Sequence, residues 1–279
     1  MAGVAQAGSG KPLIRQNTPE TAVIRTLLRF APALFLVQPV LAQVDATASY
    51  IVTLGGINIA AIDVDLNDTG SRYRMDLDAQ VTGLGSVVAS GTATASSAGQ
   101  SSASGLISDQ FELETRANGE LFDVDVSFAG REVTAFQVQP PILDNYDRVP
   151  LERRHLTGVG DFLSAFVLKG AALDRSLCQR RSGVFTGVER FDITMSYAGD
   201  DEATSPRTGY QGPVVLCTVD YQPVSGHFTT SEITNYLAES DRIIVWYAPL
   251  GTSGYFVPYR VLLGTNMGDL SMVLTGLRF

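Results

Sequence analysis

Lysine is almost missing from this sequence of 279 residues: only Lys11 and Lys169 occur. The chain has 20 basic side chains against 29 acidic ones, and without residues 1–42 the balance is 16 against 28, a net charge of −12. Such a surface excludes binding to nucleic acid or to an anionic membrane through bulk charge. Histidine is equally scarce, with only His155 and His227, so a metal site built on more than two histidines is excluded. No spaced acidic loop of the calcium-binding kind is present. There is no Gly-x-Ser-x-Gly, no His-Glu-x-x-His, no Cys-x-x-Cys and no glycine loop ending in Lys-Ser or Lys-Thr. No cofactor, no metal and no catalytic residue is therefore expected, and the chain reads as a non-enzyme.

Only two cysteines occur, Cys178 and Cys217. Each adjoins strand-like sequence, with the polar insert 199–211 between those strands. In an oxidising compartment the two form one disulfide, which closes a loop of about forty residues and stabilises the fold by roughly 3–4 kcal/mol in the chain-entropy model. The alternative is two unrelated buried thiols. The N-terminus favours the first reading. Arg25 and Arg29 precede the apolar run 30–37, and Val40-Leu41-Ala42 supplies small residues at a cleavage site. This is the layout of a secretory signal, too short to span a bilayer and interrupted by Pro32 and Pro39. Cleavage is expected after Ala42, which assigns 1–42 to an N-terminal extension plus signal peptide and 43–279 to one β-rich domain in the periplasm. Residues 1–24 are polar and precede the expected signal, so initiation at Val23 is an alternative start.

Beyond the signal, strand patterns dominate. Tyr73, Met75, Leu77, Ala79 and Val81 alternate with polar residues, as a half-buried strand requires. Gly55-Gly56 and Asn118-Gly119 mark hairpin turns. The parity of 57–66 flips between 61 and 62, which predicts a bulge. Residues 84–104 read as two modest strands with a loose connection at 96–102. Residues 243–248 are apolar on both faces, as in a central strand. One helix is expected over 161–169, capped by Asp161 and ended by Gly170, with Phe162, Leu163, Phe166 and Val167 in a stripe. Residues 231–241 fit either a short helix or a loop. About fourteen strands with turns every eight to twelve residues indicate a mainly β fold. We expect a strongly curved antiparallel sheet, an open barrel or β-spiral, with one short helix against its inner face.

Several segments, in order, resemble a bacterial exported family catalogued as domain of unknown function 3108. They are Tyr50-Ile-Val-Thr-Leu-Gly-Gly, Val149-Pro150, Gly160-Asp161-Phe162-Leu163, Val184-Phe185-Thr186-Gly187, Cys217-Thr-Val-Asp-Tyr, Trp246-Tyr-Ala-Pro249 and Phe256-Val-Pro258-Tyr259. The resemblance covers roughly 46–279. It implies an exported β-rich envelope protein, more distantly similar to periplasmic proteins whose long sheet winds into an open spiral with a stabilising disulfide. It supplies no catalytic residues.

Three groups are candidate sites. Arg148, Arg153, Arg154 and His155 can hold an anion, or form a solvated loop paired with Glu152 and Asp147. Trp246, Tyr247, Tyr255 and Tyr259 can line a face for an apolar ligand, or belong to the sheet core. His227 can join Ser225 and Glu232 in an acid–base group, or be an ordinary loop histidine. The leading expectation is a periplasmic envelope protein that binds a protein, lipid or cell-wall partner and has no membrane span once the signal is removed. The alternatives are a carrier of an apolar ligand or acyl chain and a hydrolase of envelope polymers.

Overall fold

The computed structural model describes residues 43–88, 90–143, 146–265 and 268–279. The expected signal segment and the expected cleavage after Ala42 lie outside the described residues. The strands are β1 (Val44–Leu54), β2 (Ile57–Asp68), β3 (Arg72–Val81), β4 (Gly91–Ser102), β5 (Gly105–Ala117), β6 (Glu120–Ala129), β7 (Glu132–Gln139), β8 (Val159–Gly160), β9 (Leu168–Lys169), β10 (Arg180–Phe185), β11 (Arg190–Ala203), β12 (Gly212–Ser225), β13 (Ile243–Pro249), β14 (Tyr255–Leu263) and β15 (Leu270–Arg278). The helices are α1 (Gly85–Val88), α2 (Phe162–Phe166) and α3 (Glu232–Glu239). One short helix was expected; three are present among the described residues, and the ambiguous segment 231–241 supplies the longest.

All fifteen strands belong to one sheet, in the order β7-β6-β5-β4-β3-β2-β1-β15-β14-β13-β12-β11-β10-β8, with β9 added beside β14. Every pairing is antiparallel except β10 with β8. The two ends of this order nearly meet. Glu132 bridges Thr157, and the Val159 N–H donates to the Arg131 carbonyl at 3.0 Å. Phe136 of β7 stacks edge-on against Phe185 of β10 at 5.2 Å. The result is a barrel-shaped sheet with one seam, as the turn spacing predicted.

Alternation explains both faces of the first half of the sheet. Inward positions build cross-strand rows, such as Ala46–Leu66–Met75 and Ala48–Val64–Leu77. Outward positions place carboxylates directly opposite one another: Asp63 faces Asp78, Asp65 faces Asp76, Glu112 faces Asp125, and Glu114 faces Asp123. Arg74 and Arg116 neutralise one acid each, Asp76 and Glu114. Eight carboxylates thus line the outer face of β2, β3, β5 and β6.

Three sequence expectations need correction. The bulge in β2 falls at Ile59, because Val52 pairs with Ala60 and Thr53 with Asn58. The supposed loose connection at 96–102 is continuous strand, and opposite Ala98 and Gly99 the partner strand β5 bulges at Asp109. A Cβ on Gly99 would lie 2.0 Å from the Ile107 carbonyl oxygen, so the backbones approach too closely there for any side chain. The helix stops at Phe166 rather than at Lys169, because Leu168 and Lys169 pair with Phe256 and Tyr255 instead. Further along, Cys178 and Cys217 are joined by a disulfide with Cα atoms 5.3 Å apart, both fully buried, and they tie the turn 175–178 to β12.

Candidate functional site

Between α2 and the inner faces of β1–β3, β14 and β15 lies an apolar cavity of about 310 Å³. Its origin is readable in β1. The inward positions of that strand are Val44, Ala46, Ala48 and Tyr50, all buried. Two alanines at the centre of a strand whose neighbours carry Leu66, Met75 and Leu77 leave a volume that larger side chains would fill. Helix α2 provides the opposite wall through Phe162, Leu163 and Phe166. Its N-terminus is fixed by Asp161, whose carboxylate accepts from the Ser164 N–H at 2.9 Å, as a cap does.

Burial grades along the cavity. Ala46, Leu66, Met75, Leu163 and Leu250 are each less than a tenth exposed. Phe162 is 44% exposed, and Ile62, Phe166, Val261 and Met272 are half-buried. The cavity therefore has a buried floor and an opening beside the exposed Phe162. Every lining side chain is apolar except Tyr50, whose phenol burial pushes strongly upward in pKa and keeps neutral.

Behind the floor stand two buried carboxylates. Asp68 is the next inward position of β2 after Leu66. Its Oδ1 accepts from the Gly70 N–H at 2.8 Å. Its Oδ2 accepts from Ser101 Oγ and Tyr255 OH, both at 2.5 Å, and from Lys169 Nζ at 3.3 Å. Lys169 also donates to Ser101 Oγ at 2.8 Å and lies 4.4 Å over the Tyr255 ring. Burial alone would raise the Asp68 carboxyl, but its hydrogen-bond donors and the Lys169 charge outweigh that and hold it below the usual range. The same burial, with Asp68 as its acceptor, pushes the Tyr255 phenol upward. The second carboxylate, Asp161, accepts from Ser97 Oγ at 2.7 Å and from Ser108 Oγ. Tyr73 OH joins this group through Ser97 at 2.9 Å, and burial followed by the Asp161 charge pushes its phenol up to about 12.

The sequence missed these groups, although signals existed. The parity Ile62, Val64, Leu66 continues to Asp68 and so points that acid inward. Lys169 is the only lysine after residue 11. The small residues Ala95, Ser97, Gly99 and Ser101 on one face of β4 make room for both carboxylates, and the same smallness made the strand look like a loop.

The residues singled out from sequence are dispersed. Tyr247 is fully buried and its OH points to Met195 Sδ at 3.9 Å. Tyr255 serves Asp68. Tyr259 stacks edge-on with Tyr210 at 6.3 Å. Trp246 lies beneath Arg260 at 5.3 Å and donates to Asp201 at 3.3 Å. The four do not share one face: neighbours along a strand point to opposite sides, and β13 is covered on both. None of them lines the cavity. The basic group divides too. Arg153 and Arg154 are exposed, Arg154 pairs with Glu152 at 3.0 Å, and His155 Nδ1 accepts from the Glu152 N–H at 3.1 Å. Arg148 instead donates to the Gly226 and Val188 carbonyls, at 2.9 and 3.3 Å. These bonds turn its guanidinium toward the Thr186–Glu189 turn. His227 lies near the Glu189 carboxylate, and Glu232 opens α3. The Glu189 carboxyl is raised, chiefly by burial.

No group of three or more metal-ligating side chains gathers among the described residues, and none of their helices is long and apolar enough to cross a membrane. No curated protein matches the chain. A solved structure described as the crystal structure of a beta-barrel-like protein of domain of unknown function DUF1849 from Brucella abortus superposes with a TM-score of 0.49 at 11% identity, covering 86% of this chain and 99% of that one. Residues 49–275, from the middle of β1 to near the end of β15, match the family model described as Protein of unknown function (DUF3108), and the chain belongs to that family.

Proposed function

We propose that this protein is exported to the periplasm, is not an enzyme, and serves the cell envelope by holding one apolar chain, such as the acyl chain of a lipid, in the cavity beneath α2. The observation that carries this reading is an apolar cavity of about 310 Å³ that has a mouth. Ligand sites are commonly concave, apolar and a few hundred Å³ in size, whereas protein interiors are otherwise packed to crystal density. A disulfide between buried cysteines agrees with a compartment outside the cytosol. Of the protein, lipid and cell-wall partners considered from sequence, the lipid is the one this geometry favours.

Native mass spectrometry of the protein purified from the periplasm tests the reading. The expected result is a mature mass beginning at Gln43, two hydrogens below the reduced value, with an extra mass released on denaturation. Ala48→Phe, which fills the middle of the cavity, should abolish that extra mass while the fold, followed by circular dichroism, persists. A bare protein mass together with no uptake of fatty acid in vitro would refute it.

A further inference from the structure

We propose that the cavity takes a single unbranched hydrocarbon chain tail-first, leaves the head group outside, and sets the preferred chain length by its floor. The inference rests on the ligand-binding reading above and adds direction and length to it. Direction follows from the lining. An acyl head group carried inward would lose its water and find no hydrogen-bond partner offered for it. Tyr50 is the one polar side chain in the wall, and it is buried at 4% exposure. The exposed end, by contrast, is rimmed by Phe162, Phe166 and Met272, which can flank a chain whose head remains in water.

Length follows from what stands behind the floor. The cavity runs along the strands, from the Ala46–Leu66–Met75 row toward Met272, which pairs with Val52. Val52 lies six steps along β1 from Ala46, or roughly 20 Å of strand. A volume of about 310 Å³ drawn out over that distance admits one chain and not two. A terminal methyl that reached Leu66 could go no further. The next inward position is Asp68, which holds four donors and is 1% exposed, and the cap of α2 is Asp161, fully buried. Extending the chain would drive hydrocarbon against carboxylates whose hydrogen bonds are already made, so the floor is a fixed stop and not a soft one.

The test is a displacement titration of the wild-type protein, loaded with a fluorescent fatty acid, using saturated monocarboxylates from eight to eighteen carbons. Affinity should rise roughly fourfold per added methylene and then stop rising at one length. Replacing the carboxylate by a hydroxyl at that length should change affinity by less than about threefold, since the head is in water. Ala46→Leu should move the stopping length shorter, and Met75→Ala should move it longer. An affinity that climbs across the whole series, or a strong dependence on the head group, overturns the inference and leaves the binding reading intact. No displacement at any length, with no uptake of the fluorescent probe, removes both. The wild-type series decides the matter even if a variant fails to fold.

Discussion

Replacing Lys169 by methionine tests the architecture behind the floor most directly. The Lys169 side chain is 13% exposed and that of its partner, Asp68, has no exposure at all. Lys169→Met keeps much of the side-chain volume and removes the charge. Breaking a buried pair by deleting one partner costs about 3–5 kcal/mol, because the remaining charge is stranded. Here three donors remain on Asp68, from Gly70, Ser101 and Tyr255, so we expect the lower end, about 3 kcal/mol. For a domain of this size that corresponds to a fall in Tm of roughly 6–12 °C. The pH dependence has a definite sign. The folded Asp68 carboxyl lies below its unfolded value, so its contribution is complete above about pH 4 and is lost as pH falls through the folded pKa. Without Lys169 the burial cost is less opposed and the carboxyl shifts upward. The variant should therefore approach wild type as the medium is acidified. Urea denaturation at neutral pH and at about pH 4 measures both effects. The double variant Asp68→Asn with Lys169→Met should regain at least half of the loss. A loss under about 1 kcal/mol, typical of an exposed pair, or a double variant no better than the single one, would refute the reasoning.

Three further outcomes are expected. Cys178→Ser with Cys217→Ser should lower stability by about 3–4 kcal/mol in urea titrations, the loop between them spanning 39 positions; an unchanged midpoint would deny the disulfide its role. Gly187→Ala should destabilise by about 2–4 kcal/mol, because Gly187 has a φ of +87° and a Cβ there would lie 2.2 Å from Val124 Cγ1; calorimetry reads this as a lower Tm. Asp78→Lys turns a repulsive cross-strand pair with Asp63 into an attractive one, so Tm should rise by roughly 1–3 °C, and a fall would mean the acidic rows are not mutually destabilising.

The fold class was legible because period-two alternation survives wherever one face is wet, as in β3 and β6. The disulfide was legible because the chain has two cysteines and an export pattern. The cavity was not, since it depends on two alanines, Ala46 and Ala48, whose smallness means nothing until their neighbours are known. The aromatic residues misled for a related reason. Tyr and Trp favour strands whether they line a void or fill one, and on β13 they fill. Sequence reasoning followed bulk and missed the charged residues turned inward. Lys169 looked like the tail of a helix.

The pairing of β1 with β15 sets the order in which this molecule can assemble. Thr47 faces Arg278 across more than two hundred intervening residues, and these two strands sit in the middle of the sheet rather than at its rim. Hairpins such as β5–β6 can form as soon as they emerge, but the central ladder must wait for the final strand. Until it arrives, β1 offers an open hydrogen-bonding edge and half of the cavity wall is missing. Closing so long a loop is entropically slow. A chain stalled before β15 would expose a long unpaired edge, a substrate for chaperones and for aggregation.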